Sequence, residues 1–79
     1  MTYRLLYFAS LADQAGCSEE TVAGDASDPA VLYAELGARH GFTLTRERLR
    51  VAVNGTLVGW DHRLRSGDEI VFLPPVSGG

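Results

Sequence analysis

The chain has 79 residues, a formal net charge of −3 and a single cysteine. At this size a domain buries only about 60% of the surface its unfolded chain exposes, so residues 1–79 are expected to form one small domain. A lone cysteine excludes an internal disulfide and points to a reducing compartment.

The mild acidity comes without any basic run or aromatic-basic stripe, which makes nucleic acid a poor partner. No apolar run is long enough to span a bilayer, and the opening residues lack the cleavage pattern of a secretory signal. Cytoplasm is the expected location, with no membrane partner. Every basic residue apart from the histidines is arginine, and lysine is absent.

In chain order, Tyr3 to Phe8 is dense in aromatic and aliphatic residues and predicts a strand. Ser10 is a candidate cap for a short helical turn over residues 11–15, stopped by Gly16. Glu20 to Ala23 predicts a second, short strand. Asp28-Pro29 signals a helix start: the carboxylate can accept a bond from an orphan N–H, and proline loses nothing at the first helical position. Val31, Leu32, Leu36 and Ala38 fall on or near one stripe of that helix. Glu35 and Arg39 have the spacing of a surface ion pair. Arg39 and His40 suit the negative end of the dipole, and Gly41 is the natural cap.

Asn54-Gly55, set between Val51-Ala52-Val53 and Thr56-Leu57-Val58, predicts a tight hairpin, because both turn positions tolerate positive φ. Ser66-Gly67-Asp68 predicts another turn, and Glu69 to Leu73 the last strand, ended by Pro74-Pro75. Helical and extended segments segregate, so the fold class is α+β: one main helix across one mixed sheet of four to five strands.

Alternation along the first and last strands carries a functional hint. Ile70 and Phe72 point to one face while Val71 and Leu73 point to the other. Tyr3, Leu5 and Tyr7 likewise oppose Leu6 and Phe8. One helix covers one face of a sheet, so the second apolar face is expected either to be partly hidden by loops or, the reading preferred here, to serve a partner.

Catalytic patterns are missing. A P-loop needs lysine, and no G-x-G-x-x-G opens a helix. Cys17 has no companion cysteine, Glu19-Glu20 reads as a solvated pair, and His40 and His62 lack metal-ligand spacing. The chain is therefore read as no catalyst by itself. Its most distinctive feature is the end Ser77-Gly78-Gly79, where the chain thins to bare backbone. Such a tail, from about residue 74 onward, can thread a narrow channel and bring the Gly79 carboxylate to another protein's reactive centre.

Val53-Asn54-Gly55-Thr56-Leu57-Val58, Trp60-Asp61-His62 and the run from Ser66-Gly67-Asp68-Glu69 to Phe72-Leu73-Pro74-Pro75-Val76-Ser77-Gly78-Gly79 resemble the small subunit of molybdopterin synthase. That family consists of ubiquitin-like sulfur carriers with the β-grasp fold. The resemblance extends to the opening strand ending in Phe8-Ala9 and is weakest between Cys17 and Arg50. Where the family often has Arg-Glu in the first short helix, this chain has Ala12-Asp13.

The resemblance implies that an ATP-dependent, E1-like adenylating enzyme activates Gly79. A sulfur donor protein then converts it to a thiocarboxylate. The tail inserts into the large subunit of the synthase and gives its sulfur to cyclic pyranopterin monophosphate, in a heterotetramer built on a dimeric large subunit. Gly79 would react, Gly78 and Ser77 would form the approach, and Phe8, Leu57, Leu73, Pro74, Pro75 and Val76 would contact partners. No cofactor would be bound by the carrier; ATP would be used by the activating partner.

Three further readings share parts of this pattern. The same tail serves sulfur carriers for thiamine, for tRNA thiolation or for cysteine, and it serves protein modifiers joined through the terminal glycine. A plain binding module would give the tail no role.

Overall fold

Alternating burial along strand β1 (Thr2–Tyr7) places Tyr3, Leu5 and Tyr7 in the core. The computed structural model describes residues Met1–Pro74, so Pro75, Val76, Ser77, Gly78 and Gly79 lie outside the described residues. After β1 come helix α1 (Ala9–Ala15), strand β2 (Glu19–Ala23), helix α2 (Pro29–His40), strands β3 (Arg50–Val53) and β4 (Thr56–Val58), and strand β5 (Glu69–Leu73). A single 3₁₀ turn, Arg46–Arg48, precedes β3. The five strands form one mixed sheet in the order β2-β1-β5-β3-β4. Strand β5 runs parallel to β1 and antiparallel to β3, and both hairpin pairs are antiparallel. This is the expected α+β architecture, a five-stranded β-grasp sheet packed on one main helix.

Local chemistry explains most boundaries. Asp28 Oδ1 accepts the Val31 N–H at 2.9 Å and Pro29 opens α2. Gly41 closes it in the left-handed region (φ 73°), donating its N–H to the Gly37 carbonyl at 2.8 Å. The hairpin turn has φ 52° at Asn54 and 85° at Gly55, the paired positive values that its sequence predicts. Asn54 also ties the turn to β5. Its side-chain oxygen accepts the Glu69 N–H at 3.0 Å and its amide donates to Asp68 Oδ1 at 2.9 Å. Asp68 Oδ2 in turn accepts the Arg65 N–H at 2.8 Å.

The core lies between α2 and one face of the sheet. Leu32, Tyr33 and Leu36 of α2 meet Tyr3, Leu5, Tyr7, Val51, Val53, Ile70 and Phe72. Tyr33 packs edge-on against Phe72 with centroids 5.0 Å apart. The phenol of Tyr3 donates to the Ala26 carbonyl at 2.6 Å, and that of Tyr33 to the Leu44 carbonyl, so neither buried hydroxyl is left unpaired.

Several expectations need correction. Val31 and Ala38 are exposed, and the buried stripe of α2 is Pro29, Leu32, Tyr33 and Leu36. Those positions keep the i, i+3, i+4, i+7 spacing but turn Tyr33 rather than Val31 inward. Strand β1 ends at Tyr7, and Phe8 rather than Ser10 precedes α1 as its N-cap, without a side-chain cap bond. Glu35 and Arg39 form no ion pair among the described residues; at an exposed helix surface the attraction is too weak to fix two long side chains. Glu19 and Glu20 are not a free solvated pair. Glu19 bridges to Arg4 at 2.8 Å, and Glu20 bonds both Tyr7 and His40.

Candidate functional site

Helix α2 occupies one face of the sheet, and the opposite face carries its own apolar row. Residues directly opposite each other on paired strands share a face. The register pairs Leu6 with Val71, Val71 with Ala52, and Ala52 with Leu57. Leu6, Val71, Ala52 and Leu57 therefore run in one line across β1, β5, β3 and β4. Leu73 lies two residues beyond Val71 on the same face. Phe8 has extended backbone (φ −128°, ψ 153°) and continues the alternation of β1 past the Tyr7–Phe72 pair, to the level of Leu73.

Exposure separates most of this row from the core. Leu57 is 57% and Phe8 51% exposed, more than any other large apolar side chain among the described residues. Leu6, Val71, Leu73 and Pro74 are half-buried. Ala52 is buried at 8% exposure, so the accessible part of the row is Leu57 on β4 together with Leu6, Val71, Leu73 and Phe8 on and beyond β1 and β5. Single exposed apolar residues are ordinary on a soluble surface, whereas several that share one face mark a docking surface. Its border is charged. Arg4, on the same face as Leu6, bridges to Glu19 at 2.8 Å and approaches Glu69 at 3.8 Å.

The same face reaches the root of the tail at the end of β5. Leu73 and Pro74 line a groove of about 670 Å³ together with Leu57, Trp60, Arg48 and Arg50. Trp60 stacks on buried Phe72, with ring planes 8° apart. The structure thus brings together four of the residues expected from sequence: Phe8, Leu57, Leu73 and Pro74. Leu6, Val71 and Ala52 were not expected as site residues, although alternation alone already puts Leu6 and Val71 on this face. Ala52 carries no sequence signal, because its membership depends on the cross-strand register. Pro75, Val76, Ser77, Gly78 and Gly79, expected to supply the rest of the contact surface and the reacting carboxylate, lie outside the described residues.

A second polar cluster sits on the helix side. One Glu20 oxygen accepts the Tyr7 hydroxyl at 2.6 Å and meets His40 Nε2 at 2.6 Å. Burial raises the Tyr7 phenol well above its ordinary range, and its bond to Glu20 raises it further. Burial also works to raise the Glu20 carboxyl, but the bonds from Tyr7 and His40 outweigh it and hold the group below the usual carboxylate range. No nucleophile faces this cluster within its hydrogen bonds, so it reads as a structural tie between β1, β2 and the end of α2. Among the described residues no group of three His, Cys, Asp or Glu side chains is placed to hold a metal ion. No helix among them is long and apolar enough to cross a membrane.

Comparison with known proteins matches residues 5–79 to the ThiS family. The molybdopterin synthase sulfur carrier subunit of Escherichia coli K12 is 38% identical over 79 residues, covering 96% of this chain and 98% of that protein. Among solved structures, SAMP1 from Haloferax volcanii superposes over the full length of both chains with a TM-score of 0.83 at 26% identity. A complex of subunits 1 and 2 of the molybdopterin-converting factor from Helicobacter pylori contains a chain of similar fold (TM-score 0.69, 26% identity, full coverage of both chains).

Proposed function

Because the chain belongs to the ThiS family, we propose that it is the sulfur carrier subunit of a molybdopterin synthase, working in the cytoplasm. The main support is the 38% identity along 96% of the chain to the Escherichia coli carrier subunit. The geometry agrees with a carrier role: the apolar side chains on the described open face reach the tail root at Leu73 and Pro74.

The carrier has two tasks, presentation and chemistry at one carboxyl group. The open face docks on a partner, whose pocket receives the tail, residues 75–79. Those five residues span at most about 17 Å when extended, enough to enter a pocket beyond the docking surface. The Gly79 carboxylate is a poor electrophile. An E1-like adenylating enzyme joins it to AMP from ATP with release of pyrophosphate. Sulfur from a donor protein displaces AMP, leaving a thiocarboxylate. In the large subunit of the synthase that sulfur bonds to cyclic pyranopterin monophosphate, water cleaves the acyl–sulfur link, and the carrier leaves with its carboxylate restored. The carrier itself binds no cofactor and supplies no catalytic side chain; Gly78 and Ser77 keep the approach slender. With a dimeric large subunit the assembly is a heterotetramer.

Mass spectrometry after incubation with the adenylating enzyme, ATP and a sulfur donor tests the proposal. The native chain gains the mass of one oxygen replaced by sulfur, located at Gly79, and a chain lacking Gly79 does not. A native chain that stays unchanged under conditions that load an authentic carrier sinks the carrier reading. A branched peptide on another protein identifies a modifier instead.

A further inference from the structure

The groove beside the tail root has a charged lip that the carrier chemistry does not use. Arg48 and Arg50 line it with Leu57, Leu73 and Pro74, and Glu47 is the one carboxylate on the same lip. Both arginines are exposed. Among the described residues neither guanidinium makes an ion pair or a side-chain hydrogen bond, whereas Arg4 on the same sheet is paired with Glu19. The lip is thus locally cationic on a chain whose net charge is −3.

Register makes this charge inseparable from the docking face. Arg50 stands directly opposite Leu73 in the β3–β5 ladder, so any surface that covers Leu73 and Leu57 also removes water from Arg50. A guanidinium that loses its water without gaining an anion opposes association strongly. Docking on the apolar row is therefore favoured when the partner places carboxylates over the lip, where the planar fork of arginine can take each one through two hydrogen bonds.

We propose that the large subunit of the synthase presents acidic side chains to Arg48 and Arg50. The inference rests on the carrier reading above. The large subunit is chosen over the adenylating enzyme because a relative of similar fold has been solved in complex with its subunit 2.

Calorimetric titration of the intact chain with the purified large subunit at low and at high salt tests it. The native chain should bind more weakly as salt rises. R48A/R50A should bind at least about tenfold more weakly at low salt and lose most of the salt dependence, and R48E/R50E should bind more weakly still. Trp60, which lines the groove and is the only tryptophan, reports docking independently through its fluorescence. Should the double variant fail to fold, Arg50→Gln gives the same readout from one exposed position. Equal affinity and equal salt response in native and variant chains overturn the inference while leaving the carrier reading intact. A variant that binds the large subunit normally but is no longer adenylated also overturns it, by moving the acidic surface to the activating enzyme. A native chain that does not bind the large subunit at all removes both.

Discussion

Glu20 accepts the Tyr7 hydroxyl and meets His40 through the same oxygen, each at 2.6 Å, with the Glu20 side chain only 21% exposed. A carboxylate removed from water in this way is stable only while its partners remain, which makes the cluster a test of single-residue energetics. Tyr7→Phe removes one charge-assisted bond and should destabilise the fold by about 1–3 kcal/mol. Glu20→Gln keeps the shape but loses the charge and should cost a similar amount near neutral pH. The pH dependence has a definite sign. The folded carboxyl lies below its ordinary range, so its contribution is complete above the unfolded value of about 4–4.5. It is lost as pH falls through the lower, folded value. Thermal melts of native and Glu20→Gln chains should therefore differ most near pH 6–7, roughly where the carboxylate is fully ionised, and converge in acid. A stability gap that does not change across that range would show that Glu20 contributes through packing alone.

At the scale of elements, the link between the β3–β4 turn and the start of β5 keeps the sheet in register. Asn54 serves it twice, by adopting φ 52° and by bonding Asp68 and the Glu69 N–H through its side chain. The two roles separate experimentally. Asn54→Gly keeps the left-handed conformation and loses the bonds, for an expected cost of about 1–2 kcal/mol. Asn54→Ala loses both and should cost about 1 kcal/mol more. Urea unfolding of the pair measures the difference, and a glycine variant as stable as the native chain would deny the bonds any role. The turn itself was legible in the sequence because Asn-Gly encodes its geometry within two residues, as Asp28-Pro29 and Gly41 encode the ends of α2. Its bond to Asp68, fourteen residues on, has no local code. Nor does the choice of Tyr33 over Val31 for the core, since both obey helical spacing and only the aromatic surroundings of Phe42, Trp60 and Phe72 decide between them. The pairing of Glu20 with His40 failed to show for the same reason. The apolar open face was legible because strand alternation is a local rule, but its extension to Ala52 required the register of β3 on β5.

Among the described residues the domain presents two broad outward surfaces, and of these the open sheet face carries the larger apolar side chains. The outer side of α2 exposes Val31 at 44%, with only the small side chains of Ala34 and Ala38 as apolar neighbours along it. The open sheet face exposes Leu57 at 57%, on the same face as Val71 and Leu6 and adjoining the groove at the tail root. Exposure alone barely distinguishes the two positions, whereas the larger apolar side chains that share a face with Leu57 do. Neither side chain supports the core, so Leu57→Glu and Val31→Glu should each change folding stability by no more than about 0.5 kcal/mol. Their effects on association should diverge. Covering a leucine in an interface is worth about 1.5–3 kcal/mol, so Leu57→Glu should weaken binding to the large subunit by roughly 10- to 100-fold, before any cost of the new charge. Val31→Glu should bind as the native chain does. Titration of both variants, with melting curves as the control for folding, measures the contrast. Equal losses would mean that the partner wraps the domain, and a loss confined to Val31→Glu would move the docking surface to the helix. Binding lost only at Leu57 would place the partner on the sheet face, where apolar contact across the strands holds the domain in place beside Leu73 and Pro74.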